Sequence, residues 1–196
     1  YAVVVDLNTS RLYLFENVNG VPKQLQNYYV SMGKSGPYKQ LEGDNRTPLG
    51  VYFIENFLKA ANLPDKYGDG AFPINYPNVW DNRLGRTGYG IWLHGTPFNT
   101  YSRPPRDSEG CVVLTNIDLD SLKNQLTPGK TPVVITDSVE WIDYESWQEE
   151  RQDILQAIED WRHDWESMDV NKYLSHYSKY FWSSSHHLKS RSARKR

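Results

Sequence analysis

A histidine and the chain's single cysteine lie 17 positions apart within segment 91–116. His94 closes one short apolar run and Cys111 opens the next, with a Pro- and Arg-rich loop between them. An imidazole that draws the proton from a neighbouring thiol makes the sulfur a strong nucleophile. Gly110, directly before the cysteine, allows the close backbone approach that directs amide donors at a developing oxyanion. These residue types point to nucleophilic catalysis by a thiol.

The same residues also have a structural interpretation. A lone cysteine is often a small buried apolar side chain, and a histidine at a strand end can be satisfied by a backbone carbonyl. Residue types and spacing leave both interpretations open. If a thiolate–imidazolium pair forms, Cys111 should react with alkylating agents well below the free-thiol pKa of about 8.5, and a nearby Glu109 would favour the charged form of His94.

Other kinds of site find little support. The four remaining histidines lack a second cysteine and the ligand spacing of a structural zinc site, so neither a metal nor a cofactor is expected. Segments 33–36 and 68–70 contain glycines but lack the rest of a phosphate-binding loop. The last eight residues hold five cations without interleaved aromatic residues, which favours a solvated tail over a nucleic-acid surface.

The elements that must position the histidine and the cysteine are short strands. Alternating or β-branched runs bounded by Gly, Pro and Asn predict strands at 2–6, 11–16, 24–31, 50–55, 90–94, 111–114 and 131–136. The first two form a hairpin around residues 8–10. Many short strands with turns between them are typical of a β-sandwich or barrel.

A helix is predicted at 118–125, with Asp118 as its N-cap and Pro128–Gly129 as its stop. The segment 56–89 shows no regular pattern but is rich in aromatic residues. Long irregular segments inside compact domains are usually functional. We therefore expect this one to be a substrate-facing excursion.

The character of the sequence changes after residue 137. Two amphipathic helices are predicted, the second capped by Asp169, and the first carries an apolar stripe that includes Trp147, Trp161 and Trp165. Such a stripe must be buried against the β domain, across a homodimer, or against a missing remainder. No apolar run approaches the roughly 18 residues of a membrane span. A secretion leader is expected to have been removed or left out.

Three separated segments resemble, in the same order, the catalytic domain of the L,D-transpeptidase (YkuD-like) family. They are the strand pair ending in 11–15, the Gly-Asp-x-x-Thr-Pro-x-Gly-like segment 43–50, and His94-Gly95 followed by Ser108-Glu109-Gly110-Cys111. The resemblance covers residues 1–137. It implies a mainly β catalytic domain with one short helix. Residues 138–196 resemble the first helices of a truncated NTF2-like α+β domain.

The resemblance also implies an activity on peptidoglycan stem peptides in the periplasm or cell envelope. Cys111 would attack the carbonyl that links the L-centre of diaminopimelate to a terminal D-alanine, with His94 as base. The carbonyl of Gly95 would hold the second ring nitrogen, and backbone amides near Gly110 and Cys111 would form the oxyanion hole. Acceptance by an amine makes the enzyme a transpeptidase.

The predicted substrate-binding residues are Arg103, Arg106, Ser108, Trp92 and Glu109. A guanidinium matches a carboxylate in bidentate fashion, so the two arginines suit a substrate carboxylate, although solvated loop arginines are an equal alternative.

Two positions depart from the family pattern. Glu109 stands where the family commonly has a histidine, and Val113 stands where it has an arginine. The variant without that histidine resembles the branch with a C-terminal NTF2-like domain, which includes cell-shape enzymes with L,D-carboxypeptidase activity. Release of the acyl group to water by a carboxypeptidase or amidase is therefore an alternative. A non-catalytic peptidoglycan-binding module is the second alternative.

Overall fold

The computed structural model describes residues 1–183 together with 186 and 187. The contacts divide the chain into two compact units, Tyr1–Val139 and Glu140–Arg196. The predicted basic tail lies outside the described residues. The assignment of 1–137 and 138–196 to two functional domains stays a prediction.

The elements are numbered in chain order. The strands are β1 (Ala2–Asp6), β2 (Arg11–Val18), β3 (Val21–Tyr29), β4 (Met32–Gly33), β5 (Gly50–Phe53), β6 (Leu58–Lys59), β7 (Gly70–Pro73), β8 (Trp92–His94), β9 (Arg106–Ser108), β10 (Val112–Val113), β11 (Pro132–Thr136), β12 (Trp182–Ser183) and β13 (His186–His187). The helices are α1 (Val79–Arg83), α2 (Asn116–Leu122), α3 (Tyr144–Glu166) and α4 (Val170–Ser175), with short 3-10 turns at Ala60–Asn62 and Asp65–Tyr67. The predicted mainly β architecture followed by a helical segment is confirmed.

The first sheet has the strand order β3-β2-β1-β11-β5, and only the β1–β11 pair is parallel. Its strands alternate because one face packs on the core: in β1, Val3 and Val5 are fully buried, whereas Val4 between them is only half-buried. The predicted hairpin is present as β1 and β2.

Side-chain amides cover the outer edge of β5. The Phe53 N–H donates to Asn75 Oδ1 at 2.8 Å, and Asn78 Nδ2 donates to the Val51 carbonyl at 3.2 Å. At the opposite edge of the sheet, β3 carries Pro22, and its pairing with β2 shifts register beside Phe15. Neither edge of this sheet therefore offers a regular row of free backbone N–H and C=O groups to another strand.

The second sheet contradicts the expectation that segment 56–89 is irregular, whereas its substrate-facing role stays a prediction. Its order is β10-β8-β7-β6, so two of its strands come from that segment. Phe72 and Tyr76 are buried in the core. Trp80 and Tyr89 are exposed, and residues 66, 67, 88 and 89 line the cavity described below. The segment therefore serves partly for packing and partly as a wall of that cavity. Short strands punctuated by Gly and Pro carry too few residues for a periodicity signal.

One core joins both sheets with α2, through buried residues such as Leu14, Leu93 and Leu119. The helix begins earlier than predicted. Thr115 is its N-cap, with a side chain that accepts from the Asp118 N–H at 3.1 Å. Asp118 instead lies in the first turn, where a carboxylate suits the positive end of the helix dipole.

The second unit is held by aromatic contacts between its two helices. The predicted Asp169 cap is present, since its side chain accepts from two backbone N–H groups at the start of α4. Trp161 donates to the Tyr177 hydroxyl at 3.0 Å, and Trp165 packs edge-on against Tyr173. The tryptophans stay 39% and 47% exposed. Burial of the stripe across a homodimer stays a prediction.

Candidate active site

His94 lies at the end of β8 with its ring buried, 4% exposed. Its Nδ1 lies 2.6 Å from the carbonyl oxygen of Gly95. Because a carbonyl can only accept, Nδ1 must carry the proton, and Nε2 of the neutral ring keeps its lone pair. The contact expected between Gly95 and the second ring nitrogen is therefore present, and the ring is held in the tautomer that can act as a base.

Cys111 directly precedes β10, which pairs in parallel with β8, so that Val112 lies opposite Leu93. The thiol donates to the carbonyl of Gly90 at 3.3 Å. Cys111 is partly exposed, and together with His94 it lines a cavity of about 790 Å³. The parallel pairing of two strands far apart in sequence is what brings the candidate nucleophile and base into one cavity.

The environment keeps both groups neutral. Burial raises the pKa of the Cys111 thiol to about 11, and the charge of Glu109 acts in the same direction. Burial lowers the pKa of His94 to about 4, and the charges of Arg103 and Lys66 add to this effect. Both shifts oppose the expected thiolate–imidazolium pair, which stays a prediction, as does the effect of Glu109 on His94. Tertiary burial, which a motif does not reveal, decides both shifts.

A pH profile of alkylation tests this conclusion. The alkylation rate of Cys111 should keep rising with pH through 9, toward a midpoint near 11, because the thiolate is the reacting species. The rate is measured with iodoacetamide on the folded protein and, as a control, on the protein in denaturant, where the midpoint should return to about 8.5. If the pH midpoint of alkylation is lower in the folded protein than in denaturant, the thiol is not held neutral, and the result would support a thiolate–imidazolium pair.

A network of hydrogen bonds shapes the turn before the nucleophile. Gly110 has φ 128°, and a Cβ there would lie 2.7 Å from the carbonyl oxygen of Arg46, so only glycine fits. Ser108 Oγ accepts from the Gly110 N–H at 3.1 Å and donates to the carbonyl of Cys111 at 2.6 Å. Thr47 Oγ1 donates to the carbonyl of Gly110 at 3.0 Å. Since the Gly110 N–H is already bonded, the expected oxyanion donor at Gly110 is engaged elsewhere.

Asn116 is a site residue that the sequence analysis missed. Its Oδ1 accepts from the N–H groups of Thr96 and Asp69, both at 3.1 Å, and its Nδ2 donates to the carbonyl of Thr96 at 2.9 Å. A Cβ on Gly95 or on Gly68 would lie 2.0 Å from Asn116 Oδ1. This one side chain therefore ties the backbone after His94 to the loop at 68–69. Its position at the start of a helix was the only signal, and there Asn usually indicates a cap.

The predicted arginines differ in their placement. Arg103 lines the cavity, its Nη1 lies 4.0 Å from Asp107 Oδ2, and its carbonyl accepts from the Tyr29 hydroxyl at 2.8 Å. Arg106 is exposed on β9 with its guanidinium beside Gly36, away from the cavity lining. The structure therefore brings only the first of the two arginines to the candidate nucleophile.

The other predicted substrate-binding residues are also divided. Glu109 and Ser108 line the cavity, although the Ser108 hydroxyl is committed to the turn. Trp92 instead packs its ring against Tyr67, with 4.8 Å between centroids, and is absent from the lining. Tyr67 in turn places its ring edge-on against His94 at 5.0 Å. Trp92 thus reaches the site only through the tyrosine, and the binding roles of these residues stay predictions.

Among the described residues, no helix has the length and apolarity needed to cross a membrane.

Comparison with known proteins identifies two family profiles that match the chain. The profile of the L,D-transpeptidase catalytic domain (YkuD) matches residues 1–135, and that of the Cds6 C-terminal NTF2-like domain matches residues 153–196. No curated protein sequence matches the chain.

Two solved structures are similar along the whole chain. Bd1075 from Bdellovibrio bacteriovorus is 32% identical over 100% of this chain and 69% of its own, with a TM-score of 0.86. The helical cell shape determining protein Pgp2 from Campylobacter jejuni shares the fold at 24% identity, over 99% of this chain and 67% of its own, with a TM-score of 0.79. The chain thus spans about two-thirds of each. With the first profile matching more than half of its residues, the chain belongs to the L,D-transpeptidase catalytic domain family and carries an NTF2-like match at its C-terminal end.

Proposed function

We propose that this protein is a peptidoglycan-modifying cysteine transferase of the L,D-transpeptidase type, acting in the periplasm or cell envelope. Its family consists of cysteine-dependent enzymes that act on peptidoglycan. The observation that carries the proposal is that Cys111 and a His94 of fixed tautomer line one cavity. The substrate bond is the one between the L-centre of diaminopimelate and a terminal D-alanine.

The proposed chemistry starts from a neutral thiol and a neutral imidazole. As Cys111 Sγ bonds to the scissile carbonyl carbon, His94 Nε2 takes the thiol proton, so deprotonation accompanies attack and no thiolate accumulates. Collapse of the tetrahedral intermediate breaks the C–N bond, and the imidazolium returns its proton to the departing amine. The Gly95 carbonyl steadies the ring through Nδ1 while it is charged.

The thioester that remains has two fates. An amine from a neighbouring stem peptide gives a new crosslink, and water gives a shortened stem with a free carboxylate. Both acceptors lose a proton to His94, and both release Cys111 as a thiol. The same active site therefore serves a transpeptidase and a carboxypeptidase, and the acceptor decides between them.

Digestion of purified sacculi tests the proposal. The full chain should change the muropeptides in one of two ways seen by mass spectrometry: new diaminopimelate-to-diaminopimelate crosslinks if the acyl group goes to an amine, or tripeptides from tetrapeptides if it goes to water. Cys111→Ala is the matched control and should leave the muropeptides unchanged.

One observation favours a competing function, a non-catalytic peptidoglycan-binding module. The raised pKa of Cys111 makes its resting thiol a poor nucleophile. Incubation with a carbapenem decides, because an acylating enzyme gains the mass of the drug at Cys111. Unchanged sacculi together with an unmodified protein mass would overturn the catalytic proposal and leave the binding module as the remaining candidate.

A further inference from the structure

Four cations line the cavity that contains Cys111: Lys34, Lys39, Lys66 and Arg103. These cations differ in whether a carboxylate of the protein already forms an ion pair with them. Lys39 is buried, and its ammonium donates to Asp44 Oδ1 at 2.8 Å and to the carbonyl of Leu41 at 3.0 Å. Burial acts to raise the pKa of Asp44, but the Lys39 contact and backbone N–H donors outweigh it and bring that pKa to about 2. Lys39 is therefore committed to the fold.

Lys66 is differently placed. Its ammonium lies 5.0 Å from the centroid of the Tyr67 ring, and that ring stands edge-on against His94 at 5.0 Å. Within the described part of the chain, no carboxylate lies within ion-pairing distance of Lys66. The ammonium of Lys66 is thus exposed and has no ion-pair partner among the residues that the structure describes, and the ring of Tyr67 lies between it and the candidate base His94.

Arg103 supplies a second cation near the reacting groups. Its contact with Asp107 is long, at 4.0 Å, so its guanidinium keeps donors for another anion. Its backbone is anchored by the Tyr29 hydroxyl. Lys66 and Arg103 line the same cavity as His94 and Cys111. Their charges also act on the pKa of both of these groups.

In the proposed reaction, the departing amino acid carries a carboxylate on the carbon next to the scissile nitrogen. A cation that recognises this group must lie beside the nucleophile and the base. We propose that Lys66, together with Arg103, binds the free carboxylate of the departing residue, so that the site selects stem peptides with an unblocked C-terminus. This inference rests on the proposed function and adds the residues that choose the substrate.

The test uses the full chain and three tetrapeptide stems: one with a free terminal carboxylate, one with a terminal carboxamide, and one amidated instead on the side-chain carboxylate of diaminopimelate. Release of the terminal residue is followed by mass spectrometry. A charge-assisted contact should make wild type prefer the free stem over the carboxamide by about ten- to a hundred-fold in kcat/KM. Amidation of diaminopimelate should change kcat/KM little.

Lys66→Met should remove most of that preference, mainly through KM for the free stem, while hydrolysis of the carboxamide stays close to wild type. Lys66→Arg should restore the preference because the charge returns. Lys34→Met is the matched comparison, since it removes another cavity cation of the same type and should keep the preference. An equal loss on both terminal forms in Lys66→Met, an equal effect of Lys34→Met, or a dominant effect of diaminopimelate amidation would each overturn the assignment.

Binding measured on Cys111→Ala separates this inference from the proposed function. Calorimetric titration of this variant with the free and carboxamide stems should show the same preference without any turnover. If wild type cleaves neither stem yet this variant still binds the free one more tightly, the proposed function fails and the carboxylate site stands. Equal binding of the two stems here, with normal cleavage by wild type, overturns the carboxylate site alone.

Discussion

Replacement of Cys111 by alanine should abolish both the carbapenem adduct and the turnover of stem peptides. Loss of a covalent nucleophile typically removes at least about 10³-fold of the rate, because no other group can form the acyl intermediate. Cys111 is the chain's single cysteine. A mass increase on wild type that is absent from Cys111→Ala therefore assigns the acylation to its sulfur without peptide mapping. The measurement is the rate of D-alanine release beside the intact mass after incubation with the drug.

Cys111→Ser provides the structural control. It keeps the size and the hydrogen-bonding capacity of the side chain, so its thermal transition should match wild type while its activity falls almost as far. Turnover by Cys111→Ala above the solvent background, in protein that unfolds cooperatively, would mean that the sulfur is not the nucleophile.

The second large effect is expected from Asn116→Ala. This change leaves the N–H groups of Thr96 and Asp69 and the carbonyl of Thr96 without their partner, at a cost of about 1–3 kcal/mol for each such group that stays buried. It also frees the backbone that follows His94. A shift of the base by about 1 Å can cost on the order of 10²-fold in rate, so kcat should fall by that order with little change in KM. Stem-peptide kinetics and chemical denaturation give the two quantities.

Ile117→Ala is the matched control for that experiment, because Ile117 is the next residue on α2 and is 70% exposed. It should lower neither the rate nor the stability appreciably. Asn116→Asp keeps the acceptor for the two N–H groups but loses the donor to Thr96, so it should fall between alanine and wild type. Wild-type kcat in Asn116→Ala would show that His94 is positioned without this contact.

The sequence predicts those parts of the fold whose signal is local. The hairpin of β1 and β2 follows from the alternation of Val3 and Val5 with less buried neighbours, and the start of α4 follows from Asp169. The predicted start of α2 was wrong because Thr115 and Asp118 are both acceptable N-cap residues. Tertiary packing selects Thr115. The sheet strands within 56–89 were missed because elements of two to four residues acquire their pairing from the rest of the sheet.

The site shows the same division. Residue types and the family resemblance pointed to His94 and Cys111, because their chemistry is particular to those side chains. Asn116 and Lys66 were missed because their importance comes from which backbone or ring they approach in three dimensions. The upward shift of the Cys111 pKa could not be predicted for the same reason, since desolvation depends on the residues that surround the thiol in the folded protein and not on the motif.

The amide side chains along β5 have a consequence for how this protein behaves at high concentration. A free strand edge offers a row of N–H and C=O groups to which another chain can add, and this is a common route to aggregation. Asn75 and Asn78 already occupy two of those groups on β5. At the far edge, Pro22 lacks an N–H to offer and Lys23 adds charge. Both edges of this five-stranded sheet are thus protected against the addition of another strand, and the loss of Asn75 would free the Phe53 N–H at the β5 edge.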